Sequence, residues 1–362
     1  MTALLPEGLA DRLPPEAEAL AQVEARVLAA ASAYGYERVD PPLAEFADGL
    51  TTRLKAGGLH GAVRFVDPVS QRTLAIRPDM TAQVARIAAT RLAHHPRPLR
   101  LSYAGTVLSL RASELAPARE RRQIGCELIG HDTVVAAREV VGVAAEALVA
   151  AGASAVSVDF TLPDLVATLA NGSRPVAEGQ RAALAERLDA KDAAAVAALA
   201  PEYLPLIAAT GPLASALEQL RALDDGTLTS RLDAVAALAD ALDGRATVTL
   251  DPTERHGFEY QSWLGFSLYA DGREAGRGGS YTVLHEDGRE EPAVGFTLFA
   301  GALVVGEAVR GRRVFLPLGT PGEVGAWLRG EGWVTVAAFV EHDSAAAQLC
   351  EHTWRDGAVA AA

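Results

Sequence analysis

The stretch LRLSYAGTVLSLRASELAPARERRQIGCELIG, Leu99 to Gly130, constrains this chain more than any other. It reads as two β-strands joined by a polar, arginine-rich loop. The first strand, Leu99 to Leu110, is rich in Leu, Val, Tyr and Thr; the second, Gln123 to Gly130, alternates. A period of two puts Ile124, Cys126 and Leu128 on one face and Gln123, Gly125 and Glu127 on the other. Two readings of the polar face stay open. It meets water, as one face of an antiparallel sheet commonly does. Alternatively it lines a ligand site, since an amide and a carboxylate flanking Gly125 leave room close to the backbone.

Periodicity and punctuation organise the rest. After Pro14 and Pro15, a helical run carries Leu20, Val23, Val27 and Ala31 on one side, and Gly35 stands where a left-handed cap belongs. Pro41 and Pro42 place the extended segment 37–46 at a sheet edge or a subunit boundary, because consecutive prolines cannot donate to a central ladder. From Ala62 a hairpin runs into a helix that starts near Met80 and Thr81. Asp79 and Thr81 stand there as acceptors where helix caps usually lie. A helix closed by Gly152 and a strand over Val156–Leu162 follow. Residues 163–245 are helical by pattern, broken at Gly172, Pro201, Gly211 and Pro212. The sheet resumes at 246–252, and Asp271-Gly272 marks a hairpin turn. No helix start follows Gly276, Gly278 and Gly279, so they suit a ligand-facing strand better than a phosphate loop. Gly295 to Val305 reads as opening a helix, and the tail gives a small βαβ-like pattern from RRVFLPLG through WVTVAAF.

Composition removes several function classes. The 362 residues hold 46 acidic against 33 basic side chains, a net charge of −13, which disfavours a dominant nucleic-acid role. Cys126 and Cys350 are the only cysteines, so neither a disulfide framework nor zinc-ligand spacing is present, as suits a reducing cytoplasm. No apolar run approaches the roughly 20 residues a membrane span needs. The histidines lack metal-ligand spacing, and neither GxSxG nor GxxxxGK[ST] occurs. No cofactor and no metal are expected. Arg119, Arg121 and Arg122 form a local basic patch, expected to be solvated among Glu114 and Glu120, with a phosphate or partner contact as the alternative.

The strand, charged loop, second strand and ending QIGCELIG resemble motif 2 of the class II aminoacyl-tRNA synthetases, and within them the histidyl enzymes. ERVDPPLAEF resembles motif 1, with Pro42 and Glu45 in place, and RPDMT stands where those enzymes have RPEGT. HGFEYQ (256–261) matches RGLDYY, with His256 in place of the arginine that contacts the substrate carboxylate and Gln261 in place of the second tyrosine. GGSY matches GGRY. The departures cluster on the ATP side. Leu108 and Ser109 replace the phenylalanine-arginine pair that ends the first strand of motif 2. In motif 3, GFTLFAGAL puts Phe299 at a glycine, Gly301 at the glutamate and Ala302 at the arginine. The chain therefore resembles the synthetase paralogues that lack aminoacylation, the regulatory subunits of ATP phosphoribosyltransferase, over roughly residues 4–305.

That resemblance implies an α+β fold, a class II synthetase-like antiparallel sheet flanked by helices. Residues 1–162 and 246–308 would form the core, 163–245 a helical insertion, and 309–362 a small C-terminal α/β unit. It implies a histidine-binding site of Asp79, Thr81, Gln123, Glu127, Tyr260, Tyr281 and His256, with no catalytic residue. It also implies a homodimer built on motif 1, a short-form catalytic subunit as partner, and histidine as effector. Two alternatives stay open: a divergent synthetase that still forms an aminoacyl-adenylate, and a binder of tRNA-like structures. The missing arginines argue against the first; net charge and a tail too short for an anticodon-binding domain argue against the second.

Overall fold

The computed structural model describes residues 5–55, 61–111, 118–242, 244–255, 261–304 and 311–362. The chain divides into two compact units, one of Met1–Arg12 and Leu20–Val305, the other of Leu13–Ala19 and Gly306–Ala362. Chain order runs α1 (Glu16–Ala33), β1 (Glu37–Arg38), β2 (Ala44–Phe46), α2 (Ala47–Thr51), β3 (Arg64–Val66), β4 (Thr73–Ile76), α3 (Thr81–Ala89), β5 (Leu99–Leu108), β6 (Glu120–Ile129), α4 (Val134–Ala151) and β7 (Val156–Thr161). Six α-helices follow, α5 (Leu165–Asn171), α6 (Glu178–Asp189), α7 (Ala193–Leu199), α8 (Pro205–Ala208), α9 (Leu213–Leu223) and α10 (Thr229–Asp240), with the two-residue strand β8 (Gly211–Pro212) before α9. The larger unit closes with β9 (Thr247–Leu250), β10 (Gln261–Ala270), β11 (Arg273–Leu284), β12 (Glu290–Phe299) and α11 (Ala300–Leu303).

A nine-stranded mixed sheet, ordered β1-β5-β6-β12-β11-β10-β7-β9-β8, carries the larger unit. Its two faces do different work. Ile124, Cys126, Leu128, Phe160, Phe266, Phe296 and Leu298 point into one hydrophobic cluster with the apolar stripes of α1 and α4. Leu184, Leu188, Leu220, Leu232 and Leu238 of the following helices belong to that same cluster, so this helical stretch has no core of its own. Helix α4 is bounded as its ends dictate: Thr133 accepts from the Ala136 N–H, and Gly152 takes the left-handed conformation at φ 114°.

The prolines act as edge devices. β1 pairs only with β5, in parallel, at the margin of the sheet, while β2 joins β4 and β3 in a separate three-stranded sheet. Two sequence expectations change. Gly295–Phe299 is not the opening of a helix but the end of β12, hydrogen-bonded to both β6 and β11. A strand buried on both faces reads as a plain apolar run, which periodicity cannot distinguish from a buried helix. In the smaller unit the expected βαβ pattern, β13 (Arg313–Leu316), α12 (Gly322–Gly330) and β14 (Val334–Ala337), is extended by β15 (His352–Arg355) and β16 (Ala358–Ala361), in the order β14-β13-β15-β16. Among the described residues, no helix is long and apolar enough to cross a membrane, and no group of three or more His, Cys, Asp or Glu is placed to hold a metal ion.

Candidate functional site

The second face of the nine-stranded sheet holds the site, and register builds it. One row runs across the strands through Tyr103, Gly125, Thr297, Arg277, Ser267 and Asp159. The next row runs through Leu101, Glu127, Gly295, Gly279, Gly265 and Thr161. Three neighbouring glycines in that row make a trough floored by backbone. A Cβ at Gly295 would overlap the Glu127 carboxylate, and one at Gly279 would lie 2.7 Å from the Gln261 amide nitrogen.

Glu127 is 2% exposed. Its Oε1 accepts from the Tyr103 hydroxyl at 2.9 Å and its Oε2 from the Tyr281 hydroxyl at 2.8 Å. Burial pushes its pKa up to about 8, with the Asp79 charge adding to the shift and the two phenol donors opposing it. Burial thus favours the protonated carboxyl towards neutral pH, while the two phenol donors favour the charged one. The Tyr103 phenol, wholly buried beside this carboxyl, is pushed well above its usual range by burial.

A directed chain ties this end to the other. Gln123 donates from Nε2 to Thr297 Oγ1 at 2.7 Å, and Thr297 shares a 2.9 Å bond with the Tyr103 hydroxyl. Gln123 Nε2 also donates to Asp79 Oδ1 at 3.1 Å, while its Oε1 accepts from the Met80 N–H at 3.0 Å. Asp79 Oδ1 in turn receives the Thr81 N–H at 2.7 Å where α3 begins. The local capping role and the site role of Asp79 thus coexist. Gln123 is held by three bonds, and its orientation follows from them. The polar face of β6 does not meet water.

Asp79, Thr81, Gln123, Glu127 and Tyr281 are brought together. His256 and Tyr260 lie outside the described residues. Gln261, the residue after them, lies over Gly265 and Gly279 and donates to the Gly278 carbonyl at 2.7 Å. What remains is a cavity of about 20 Å³ lined by Thr81, Glu127, Gln261, Arg277, Tyr281 and Thr297. That is room for little more than a water. Sequence reasoning missed Tyr103, Thr297 and Arg277. The signal available for Arg277 was its position between glycines in AGRGGSY, a charged side chain inside a central strand.

Alternation along β6 splits the expected basic patch. Arg122 pairs with Glu24 at 2.6 Å and Arg119 donates to the Ser109 carbonyl at 3.2 Å, whereas Arg121 turns to the site face and stacks its guanidinium 4.0 Å from the Phe299 ring centre. Burial lowers the pKa of Arg121. Ser109 is occupied in backbone pairing with Arg119, and Ala302 packs against the core.

Comparison with known proteins follows the same lines. A model of the family described as histidyl-tRNA synthetase matches residues 8–303. The chain is 43% identical to the ATP phosphoribosyltransferase regulatory subunit of Rhodospirillum centenum, covering 99% of this chain and 96% of that one. It is 44% identical to the protein of the same name from Paramagnetospirillum magneticum, over 93% and 91% of the two chains. Among solved structures, an ATP phosphoribosyltransferase regulatory subunit/histidyl-tRNA synthetase from Bacillus halodurans shares the fold at TM-score 0.80 and 23% identity, covering 96% of each chain. A histidyl-tRNA synthetase from Nostoc shares it at TM-score 0.80 and 15% identity, covering 98% of this chain and 91% of that one.

Proposed function

We propose a role from one premise: this chain belongs to the family of ATP phosphoribosyltransferase regulatory subunits, which is built on a histidyl-tRNA synthetase-like fold. It is a non-catalytic subunit of histidine biosynthesis that activates a short-form catalytic subunit and takes part in feedback by histidine. One observation carries this reading. The amino-acid end of the site partly survives as a buried network, with Glu127 between Tyr103 and Tyr281 and with Asp79 held by Gln123. At the end that resembles a nucleotide site, Ser109 and Ala302 stand in place of the arginines and Arg121 stacks on Phe299. A chain with those properties acts by differential binding: the partner prefers one state of the pocket, and histidine biases the same states.

Histidine suits the pocket chemically. Its ammonium needs acceptors, for which Asp79 and Thr81 are placed, and its imidazole needs a carboxyl partner, for which Glu127 is placed. A homodimer through the 34–46 segment is part of the proposal. Leu43, Phe65 and Val66, on and beside the three-stranded sheet, are 49%, 43% and 60% exposed. Gel filtration with a matched short-form catalytic subunit tests the assignment. Co-elution, a raised rate of phosphoribosyl-ATP formation, and a fall in that rate on adding histidine are expected. Two chains that neither co-elute nor alter each other's kinetics overturn it.

A further inference from the structure

An amino-acid pocket needs a cation for the carboxylate, and His256 stands where the resemblance places that arginine. The sheet supplies two others on the site face. Arg277 shares its row with Thr297 and Gly125, one step from the trough glycine Gly279, and it lines the cavity with 31% of its side chain exposed at the mouth. Arg121 lies on the same face of β6 as Gln123 and Glu127. Its Nε is buried and has no hydrogen-bond partner among the described residues. Burial lowers the Arg121 pKa most, the Asp79 charge opposes that fall, and the nearby Arg277 guanidinium adds to it. Like charges held together in a half-buried site are costly unless an anion joins them. Glu274, paired with the Arg277 Nε, offsets part of that charge from outside the cavity. At the far side of the trough, Thr161 Oγ1 is another buried polar atom without a partner among the described residues.

We propose that Arg277, backed by Arg121, takes the α-carboxylate of the bound amino acid. This rests on the reading of the pocket as an amino-acid site. The trough then has a polarity: Glu127 and its two tyrosines receive the basic side chain, Asp79 faces the ammonium, and Arg277 at the mouth discriminates for a free carboxylate. The ligand class is a zwitterionic α-amino acid with a basic hydrogen-bonding side chain, and analogues in which the carboxylate is reduced or removed are disfavoured.

Calorimetric titration of the full chain with L-histidine and with L-histidinol, which carries a hydroxymethyl group in place of the carboxylate, tests this. The wild type is expected to bind histidine at least about tenfold more tightly than histidinol, as loss of one charge-assisted partner implies. Arg277→Gln lowers histidine affinity by about that factor and leaves histidinol within about twofold, bringing the ratio near one; Arg277→Lys restores part of the preference. Histidinol binding also reports that the variant is folded. An unchanged ratio in Arg277→Gln, or an equal loss of both ligands, overturns the assignment while leaving the pocket reading in place. A wild type that binds neither ligand, or a Glu127→Ala variant that binds histidine as well as the wild type, removes the pocket reading and this assignment with it.

Discussion

At the scale of single residues, Glu127 has the most measurable signature. Its folded pKa near 8 lies above the 4.5 of an ordinary glutamate. Below pH 4.5 the carboxyl is protonated in both folded and unfolded chains, and the contribution to stability is complete. As pH rises through the window from 4.5 to 8 the unfolded chain ionises first, so stability is lost progressively and levels off above 8. Glu127→Gln cannot ionise. The wild type should therefore lose stability relative to Glu127→Gln by a few kcal/mol between pH 5 and 8.5, at about 1.4 kcal/mol per unit of pKa difference. Paired urea titrations measure this, and a flat difference contradicts the buried, protonated state. Gly295 is the complementary probe. Any side chain there collides with a carboxylate fixed by two phenols, so Gly295→Ala should cost about 1–3 kcal/mol and suppress histidine binding. Thermal denaturation and calorimetry read the two effects separately, and retention of full affinity would show that the carboxylate can move.

At the scale of elements, Arg77 ties the proline edge to the sheet. It is 5% exposed and donates to the Thr106 carbonyl at 2.8 Å, the Pro41 carbonyl at 2.7 Å and Gln83 Oε1 at 3.3 Å. Gln83 itself donates to the Pro42 carbonyl at 2.7 Å and to Glu45 at 2.9 Å, and Glu45 is paired with Arg86. One buried cation thus holds together β5, α3 and the Pro41–Pro42 segment. Arg77→Leu strands two or more carbonyls, each worth about 1–3 kcal/mol when buried without a partner. A lower urea midpoint and faster proteolysis within 37–46 are expected; a variant as resistant as the wild type would remove Arg77 from this role. The legible parts of the fold follow from this local logic. Alternation in β6 separated Gln123 and Glu127 from Ile124 and Cys126 because a strand repeats every two residues. Gly35, Gly152 and Asp271-Gly272 were legible because positive φ selects them. Tyr103, Thr297 and Arg277 were not legible as site residues. Their proximity depends on which strands lie side by side, and nothing within a single strand states its neighbours. β12, buried on both faces over Ala293–Leu298, carried no clear period.

At the scale of the whole molecule, the two ends of the site differ in what they allow. Ser109 and Ala302 stand where the resemblance places arginines, and charge-assisted contacts to a transferring nucleotide are typically worth several kcal/mol each. The purified chain should therefore show no histidine-dependent ATP–pyrophosphate exchange, and exchange above background that disappears in Glu127→Ala would overturn the non-catalytic reading. The stack of Arg121 on Phe299 adds something a list of missing residues does not. Phe299 stands where the resemblance places a glycine, and Arg121 lies against its ring. Returning an arginine at Ala302 alone would leave Ser109 and Phe299 unchanged. Single-substitution libraries selected for adenylate formation should yield nothing, whereas combined changes at 109, 121, 299 and 302 form the smallest set with a chance of success. On that expectation no single reversal restores nucleotide use.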